Sequence, residues 1–379
     1  MAAAPPPAGR VRVLWLVKGL GPGGAEQLLL LAAGVVDRSR FDYRVAYVRQ
    51  DKTHLVPELE AVGLTPERLG ARTTVPGGWV TDLARAMSEV DVVHAHSPVL
   101  ASTARLLARA IPRSRRPAVV TTEHNEWTSH RRPTRLLNAA TAPLDTHHWA
   151  VSEQVRQTVW PSRRDGFQVL IHGIDPDAVR PRADARRTLR AELGVADDDV
   201  LSLTVANLRR NKDYPTLLRA ARLALDREPR LCFAAVGQGP LVDEVAALHA
   251  SLGLGDRFRL LGFRRDVHDL MAAADVFTLA SAHEGLPVAV MEAFASGLPV
   301  VATRVGGLPQ QVEEGVHGLL VPPGDAGALA TALASLAGDA DLRKRMGEAA
   351  RERSTAYDIR RAVAEQERVY AVLSRRARR

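Results

Sequence analysis

The sequence predicts an α/β protein made of two doubly wound, Rossmann-like domains whose parallel sheets face a central cleft. Short apolar runs alternate with amphipathic helical stretches along nearly the whole chain, which is typical of parallel sheets covered by helices on both faces. This alternation occurs twice within 379 residues, a length that suits two domains. Strands are predicted at 11–17, 43–48, 91–96, 118–122 and 147–152, and again at 200–206, 231–237, 257–262, 275–280 and 298–303.

The domain boundaries follow from two segments of different character. VLIHGIDPDAVRPRADA (169–185) combines a strand, a turn and prolines, and we interpret it as the connection between the domains. We therefore expect one domain over 1–175 and a second over 176–350. The remaining residues, 351–379, include a helix predicted from Ser354 with its apolar residues near one face, so we expect it to pack back toward the first domain.

The net charge of +8 is concentrated outside the second domain. Residues 1–175 carry 22 Lys and Arg against 16 Asp and Glu, residues 176–345 carry 20 against 22, and residues 346–379 carry 9 against 5. A basic surface favours anionic partners, with a solvated charged face as the alternative. Aromatic residues make up only 4% of the chain, which disfavours a nucleic-acid platform built on stacking. No run approaches the about 20 apolar residues of a membrane span, so we expect a cytoplasmic protein whose only membrane contact is peripheral, at the inner face.

A glycine-rich loop follows the first predicted strand. In KGLGPGGAEQLLLL, Gly19, Gly21 and Gly24 satisfy the G-x-G-x-x-G spacing of dinucleotide-binding loops just before a helix. The acidic residue expected about 20 residues further on to hold a ribose is not suitably placed, because Asp37 and Asp42 do not end the second strand. Three interpretations stay open: a dinucleotide site, an anion-accepting loop of another kind, and a tight turn.

Two other segments place candidate residues at the carboxyl ends of predicted strands, where open parallel sheets bind ligands. His124 in TTEHNEW follows one strand of the first domain, and a structural histidine is the alternative. Arg209, Arg210 and Lys212 in NLRRNK follow the first strand of the second domain. Fixed cations at such an edge could neutralise a diphosphate, although a solvated basic turn has the same composition.

The segment HEGLPVAVMEAFASGLPVVAT (283–303) contains two glutamates in apolar surroundings. Glu284 precedes Pro287, and we expect it in the first turn of a helix that ends at Gly297. Glu292 is expected in the second turn of the same buried helix, where an unpaired carboxylate costs several kcal/mol and needs a partner. The two hydroxyls of a ribose would supply one, and a buried arginine is the alternative. The D-x-D pair at Asp175 and Asp177 is interpreted as a turn.

Together these residues resemble glycosyltransferase family 4, the retaining nucleotide-sugar glycosyltransferases with the two-domain GT-B fold. EGLPVAVMEAFASGLPVVAT is similar to the E-x7-E signature of that family. GPGGAE, EHN, GID, NLRRNK, VGQGPL, LLGFRRDV and VGGLPQQVEEGVHGLLVPPGD follow in the order of the family and at roughly its spacing, so the resemblance covers nearly the whole chain. It implies that the first domain binds an acceptor and the second a nucleotide-sugar.

The resemblance also implies roles for individual residues. The proposed catalytic residues are Glu284, which would contact hydroxyls of the transferred sugar, and His124, which would lie near the sugar and the acceptor. Glu292 would hold the donor ribose, and Arg209 and Lys212 would bind its diphosphate. Val288 and Ala289 would supply backbone donors at the helix start. Phe263 and Arg264 would lie near the base. Gly23 and Gly24 would form a glycine loop that faces the acceptor and the phosphates.

Three positions depart from the family pattern. Where many members have G-R-L before the lysine, this chain has Ala206-Asn207-Leu208, so the arginine role passes to Arg209. His172 stands where asparagine is usual before Gly173, and Gln310 stands where glutamate is usual. Neither of these two is expected to touch the reacting groups.

The implied reaction is front-face substitution at the anomeric carbon of a hexose. The departing phosphate oxygen takes the proton of the acceptor hydroxyl on the same face, so the configuration is retained and no metal or other cofactor is required. UDP- and GDP-linked donors are both compatible, and the acceptor is unknown, with a phosphorylated or lipid-linked one suiting the basic first domain. A nucleotide-sugar epimerase of the same fold and a non-catalytic nucleotide- or phosphosugar-binding protein are the alternatives. A nucleic-acid partner is not expected, because it would leave both glutamates without a role.

A cluster of arginines in the first domain suggests where an anionic partner would bind. We hypothesise that it meets an anionic membrane surface or a phosphorylated acceptor. Its members are Arg105, Arg109, Arg113, Arg115, Arg116, Arg131, Arg132 and Arg135.

Overall fold

The chain divides into two units in the computed structural model, which describes residues 9–21, 23–71, 77–179 and 181–377. The N-terminal unit runs to Gly173 and resumes at Ile359, and the C-terminal unit is Ile174–Asp358. These boundaries differ from the expected 175 and 350. The chain passes from the N-terminal to the C-terminal unit after Gly173 and returns after Asp358. These two passages are adjacent, because Ile174 forms a parallel bridge with Asp358 and donates its N–H to the Tyr357 carbonyl.

The N-terminal unit is built on a parallel sheet with seven strands among the described residues, in the order β3-β2-β1-β4-β5-β6-β7. Its strands are β1 (Val11–Val17), β2 (Phe41–Tyr47), β3 (Glu67–Arg68), β4 (Val92–Ala95), β5 (Ala118–Glu123), β6 (His147–Ala150) and β7 (Phe167–Val169). Its helices are α1 (Gly24–Ala33), α2 (Val56–Ala61), α3 (Trp79–Ser88), α4 (Pro98–Ala110), α5 (Arg132–Thr141), α6 (Glu153–Thr158), α7 (Pro161–Arg164) and α16 (Ile359–Ala377).

The last helix, α16, belongs to the N-terminal unit. Its apolar side chains share a core with β1 and β2, where the ring of Tyr370 meets Phe41 edge-on at 6.5 Å. Glu367 accepts hydrogen bonds from the Tyr43 hydroxyl at 3.0 Å and from the Asp37 amide at 2.8 Å. The helix begins at Ile359 and not at Ser354, because Ser354 ends the preceding helix.

The C-terminal unit contains a parallel sheet of six strands over the residues that the structure describes, in the order β10-β9-β8-β11-β12-β13. Its strands are β8 (Val200–Val205), β9 (Leu231–Val236), β10 (Phe258–Gly262), β11 (Val276–Leu279), β12 (Val300–Thr303) and β13 (Gly318–Val321). Its helices are α8 (Ala185–Glu192), α9 (Tyr214–Leu225), α10 (Val242–Ser251), α11 (Val267–Ala273), α12 (Val288–Ala295), α13 (Leu308–Gln311), α14 (Ala326–Gly338) and α15 (Ala340–Ser354).

The predicted architecture of two parallel-sheet α/β units is confirmed, and each of the ten predicted strands overlaps a strand of the structure. The buried runs form strands because both faces of a parallel sheet are covered, as in β9, where all six residues are buried. In both sheets the first strand, β1 or β8, lies inside the sheet. The next strands are added on one side of it and the later ones on the other, so the strand order reverses beside it while all strands stay parallel. The carboxyl ends of strands at such a reversal are the usual place for a ligand.

Candidate functional site

Two of the predicted site residues, Lys212 and Glu284, form an ion pair in the C-terminal unit. Lys212 ends a short 3-10 turn after β8, and its Nζ donates to Glu284 Oε1 at 2.5 Å. The Ser281 hydroxyl donates to the same oxygen at 2.6 Å. The Ala282 amide donates to the Asn211 carbonyl at 2.8 Å, which ties the loop after β11 to the loop after β8. Neighbouring strands thus bring together two residues that are far apart in sequence.

A third loop, after β12, packs against the backbone of Glu284. Gly306 has φ of +53°, and a Cβ at this position would lie 1.9 Å from the Glu284 carbonyl oxygen. The Gly307 amide donates to the Gly285 carbonyl at 2.8 Å. Any side chain at position 306 would displace Glu284, so this glycine is required for the position of the carboxylate.

The predicted helical position of Glu284 is wrong. Helix α12 begins at Val288, after Pro287 in an extended conformation, so Glu284 lies in the preceding loop. The Val290 amide donates to the Pro287 carbonyl at 3.3 Å, and the amides of Val288 and Ala289 stand in the first turn, where an α-helix has no intrahelical acceptors. Amides in this position can bind an anion, and their implied contact with the donor phosphate stays a prediction.

Glu292 lies within α12 and has a histidine partner that the sequence did not indicate. Its side chain is 16% exposed, and Oε1 is 3.8 Å from Nε2 of His268 on α11. The nearby carboxylate of Glu292 raises the pKa of His268. Among the described residues no arginine pairs with Glu292, and the accessible edge of the carboxylate can reach a further hydrogen-bond donor.

The remaining predicted donor residues of the C-terminal unit lie on different loops. Arg209 is exposed, and its guanidinium makes no ion pair with the described residues, so it can turn toward a ligand. Phe263, after β10, is 50% exposed, which is unusual for a phenylalanine. Arg264 is held between Asp266 and Glu192, with nitrogen–oxygen distances of 2.6 Å to each. A role of Phe263 and Arg264 near a base stays a prediction.

In the N-terminal unit the glycine loop is shaped by close contacts. A Cβ at Gly23 would lie 2.3 Å from Glu26 Oε2, and one at Gly19 would lie 2.8 Å from the Cβ of Lys52. Gly23 is the N-cap of α1 and donates its own amide to the Gly21 carbonyl at 2.8 Å. Because its own amide is already hydrogen-bonded, Gly23 contributes space for a ligand more than a donor. Pro22 lies outside the described residues.

His124 belongs to a cluster of four histidines, His94, His96, His124 and His172. His96 Nδ1 is 3.0 Å from His124 Nε2, the rings of His94 and His96 are 4.1 Å apart, and those of His124 and His172 are 5.5 Å apart. Burial lowers the pKa of each ring, and it lowers that of His172 to about 4. The cluster is therefore neutral at physiological pH, so His124 carries no charge and can both donate and accept a hydrogen bond.

Two features of this cluster differ from expectation. His172 was not expected to touch the reacting groups, yet its ring lies beside the predicted catalytic His124. α16 fixes the opposite side of the cluster, because the Tyr370 hydroxyl is 2.5 Å from His94 Nδ1. His94 and His96 could have been found from the sequence, since residues two apart on a strand share a face.

The arginine cluster requires one correction. Arg105 is fully buried and pairs with Asp145 at 2.6 Å, and it also donates to Asn138 at 2.6 Å and Thr121 at 3.1 Å. It crosslinks α4, α5 and β5, so it cannot meet a membrane or an acceptor. The other seven arginines are exposed or half-buried.

Among the described residues, no group of three or more His, Cys, Asp and Glu side chains is placed to hold a metal ion. In the same part of the chain no helix is long and apolar enough to cross a membrane. The Asp177 amide donates to Asp175 Oδ1 at 3.1 Å, which is the geometry of a turn.

The two units each match a known protein family. Residues 22–180 match the model described as Glycosyltransferase Family 4, and residues 185–353 match the model described as Glycosyl transferases group 1. With two parallel-sheet α/β units of this kind, the chain belongs to the glycosyltransferases of the GT-B fold.

Individual relatives support the family but differ from one another in activity. The putative glycosyltransferase EpsD of Bacillus subtilis is 29% identical over 296 residues, which cover 75% of this chain and 77% of that protein. The N-acetyl-alpha-D-glucosaminyl L-malate synthase of Bacillus anthracis is 32% identical over 43% of each chain. The D-inositol 3-phosphate glycosyltransferase of Streptomyces scabiei is 34% identical over 57% of this chain and 50% of that protein. The chain thus spans about half the length of the last two relatives.

Solved structures share the fold over nearly the whole chain. Anabaena HepE in complex with UDP-glucose superposes with a TM-score of 0.84 and 24% identity, covering 95% of this chain and 100% of that one. Sucrose-phosphate synthase from Thermosynechococcus elongatus gives a TM-score of 0.79 with 21% identity, covering 96% and 99%. At these identities the likeness concerns the fold.

Proposed function

We propose that this protein transfers a hexose from a nucleoside-diphosphate sugar to an acceptor hydroxyl, with retention of configuration and without a metal ion. The observation that carries the proposal is the ion pair of Lys212 with Glu284 at the carboxyl edge of the C-terminal sheet. A cation and a carboxylate in contact, next to the start of a helix, offer complementary groups for a diphosphate and for sugar hydroxyls.

The diphosphate is assigned to the positive groups around this pair. Lys212 is 19% exposed at its side chain and can exchange part of its contact with Glu284 for a phosphate oxygen. Arg209 adds a second mobile cation, and the amides of Val288 and Ala289 add donors at the positive end of α12. These groups would stabilise the charge that develops on the leaving phosphate.

The two carboxylates are assigned to different parts of the donor. Glu284, fixed by Ser281 and by the loop at Gly306, would orient hydroxyls of the transferred sugar. Glu292 would accept hydrogen bonds from both hydroxyls of the ribose, since its contact with His268 is long, at 3.8 Å. Phe263 is exposed and would offer a face to the base. Because HepE binds UDP-glucose, we propose a uridine donor before a guanosine one.

The N-terminal unit is assigned the acceptor. His124 would lie near the sugar and the acceptor hydroxyl, and the loop at Gly23 and Gly24 would admit an acceptor or phosphate group. In the reaction, the acceptor oxygen bonds to the anomeric carbon, the bond from that carbon to the phosphate oxygen breaks, and this oxygen takes the acceptor proton. The nucleoside diphosphate leaves, and the balance needs no other reactant. A phosphorylated or lipid-linked acceptor would suit the exposed arginines of this unit.

Titration calorimetry with UDP and GDP, followed by incubation with the corresponding donor sugars, tests the proposal. We expect one nucleoside diphosphate to bind and its donor sugar to be consumed, at least by slow hydrolysis, with release of that diphosphate. Binding without any consumption would indicate a non-catalytic binding protein. Conversion of the donor to an epimer, with no release of diphosphate, would indicate an epimerase.

A further inference from the structure

Two neighbouring helices of the N-terminal unit expose apolar stripes to solvent. On α4 the stripe contains Val99, 44% exposed, and Leu106, 52% exposed. On α5 it contains Leu136, 58% exposed, and Leu137, 41% exposed. Single exposed leucines are common on protein surfaces, but stripes on adjacent helices mark an interaction site.

The helical spacing shows that each stripe is a continuous face. Val99, Thr103, Leu106 and Ala110 follow one another at intervals of three and four residues, and none of them is buried. On α5, Leu136 and Leu137 lie three and four residues after Pro133 and four and three before Ala140, and all four are exposed. Beneath this surface, Arg105 of α4 donates to Asn138 and Thr141 of α5. On α4 the buried face is itself apolar, with Leu100, Ala101, Ala104 and Ala108, so the stripe is a second apolar face, and it is exposed.

The stripes are bordered by arginines that have no acidic partner among the described residues. Five of these are exposed and form no ion pair there: Arg109, Arg113, Arg115, Arg131 and Arg132. The segments that carry them, 97–117 and 127–144, contain no aspartate or glutamate; Glu126 and Asp145 flank the second segment, and Asp145 is buried and paired with Arg105. The surface therefore combines apolar side chains with unpaired positive charge.

We propose that this surface, formed by the exposed faces of α4 and α5 with these arginines, docks on an anionic lipid bilayer. Leucines enter the boundary between headgroups and acyl chains, and guanidinium groups pair with lipid phosphates, as in peripheral amphipathic helices. A second copy of this chain fits the surface less well, because a two-fold contact would bring the arginines of both copies together without acidic partners. Docking does not depend on sugar transfer, although it would place the N-terminal unit next to a lipid-linked acceptor.

Flotation of the full chain with lipid vesicles tests this inference. We expect binding to vesicles of phosphatidylcholine mixed with phosphatidylglycerol, weak binding to phosphatidylcholine alone, and weakening in high salt. The variant Leu106→Ser/Leu136→Ser/Leu137→Ser should bind the mixed vesicles at least about tenfold more weakly. Arg131→Gln/Arg132→Gln should lose about fivefold per arginine and much of the salt dependence.

Matched changes on the other unit provide the controls. Leu223 on α9 is 41% exposed, and Arg187 and Arg219 are exposed on α8 and α9. Leu223→Ser and Arg187→Gln/Arg219→Gln should bind vesicles like the unchanged chain. Because all substituted side chains are exposed, melting temperatures should stay the same, and a melting curve checks this.

Three outcomes would overturn the proposal. They are equal binding to both vesicle types, no binding to either, and equal losses in the α4–α5 and control variants. A concentration-dependent dimer that the leucine variant abolishes, with no lipid binding, would assign the surface to a second copy. Vesicle binding is measured without donor sugar, so failure of the proposed transferase activity would leave this result unaffected.

Discussion

Replacing Glu284 by glutamine separates the two roles that we assign to the donor site. Glu284 accepts hydrogen bonds from Lys212 and Ser281, and it is 8% exposed at its side chain. Glutamine keeps the size and one oxygen, so Ser281 can still donate to it. What disappears is the negative charge that holds Lys212.

The magnitudes follow from these contacts. A hydrogen bond to a charged group contributes about 1.5–3 kcal/mol and a neutral one about 0.5–1.5, so Lys212 loses roughly 1 kcal/mol of attraction to this position. The freed lysine is then more available to phosphate. We therefore expect UDP to bind Glu284→Gln as well as the unchanged protein, or up to about fivefold more tightly. Turnover should fall on the order of 100-fold, because the sugar is no longer held in its reactive position.

Glu292→Gln is the matched control, since it changes the same chemical group on α12, eight positions further along the chain. We assign Glu292 to the ribose, remote from the bond that breaks. Its variant should bind UDP and the donor sugar about tenfold more weakly, with a smaller effect on the rate of the bound donor. Calorimetric titration and single-turnover kinetics on both variants give the two quantities separately.

Two results would refute these assignments. If UDP affinity falls in Glu284→Gln but not in Glu292→Gln, the roles of the two carboxylates are reversed. If both variants melt at lower temperature with no selective change in affinity or turnover, both carboxylates are structural.

Three further outcomes are expected from the same structure. Transfer should continue in the presence of a chelator, whereas complete loss restored by magnesium or manganese would contradict metal independence and direct attention to Asp175 and Asp177. Burial lowers the pKa of His172 to about 4. The neutral ring therefore contributes its full stability above the unfolded pKa of about 6.5, and the free energy of unfolding falls by about 3 kcal/mol on acidification from there toward pH 4. His172→Asn should therefore lose less stability between pH 7 and pH 4.5 than the unchanged protein, and equal losses in melting curves would contradict this. Glu292 raises the pKa of His268, so the stability that their ion pair contributes is present below about pH 6.5 and is lost as the pH rises through the raised pKa. His268→Asn should therefore lower the free energy of unfolding by less than about 1 kcal/mol at pH 6 and leave it unchanged at pH 9. An equal effect at both pH values would argue against the ion pair.

The sheets could be predicted from the sequence because their strands are nearly continuous apolar runs. LCFAAV at 231–236 is buried throughout, as such a run requires in a parallel sheet. The strands without a matching prediction lie at the edges of the sheets. β3 has only Glu67 and Arg68 and so carries no apolar signal, and β13 has only three apolar residues after Gly318, a run too short to indicate a strand by itself.

The site residues could be placed at strand ends, but their contacts could not be predicted. Lys212 and Glu284 each follow a strand, and their ion pair depends on β8 and β11 being neighbours, which no local pattern reveals. His268 lies on α11, where nothing in the sequence distinguishes it from a solvated residue. The partner of Glu292 was therefore missed for want of long-range information.

Arg105 shows a different kind of error, because the local pattern was sufficient to avoid it. On α4 it lies four residues after Ala101 and three before Ala108, which are both buried. Helical spacing therefore places Arg105 on the buried face and Leu106 on the exposed one. A count of charges along the segment does not show this difference between Arg105 and Leu106, whereas the helical spacing does.

The most direct measurement is the anomeric configuration of the product formed from an α-linked nucleoside-diphosphate hexose, followed by NMR in the presence of a chelator. We predict release of the nucleoside diphosphate and first formation of an α-linked product, with activity that depends on Lys212 and Glu284. A β-linked first product, or saturating donor binding with no release of diphosphate, would contradict retaining transfer by this site.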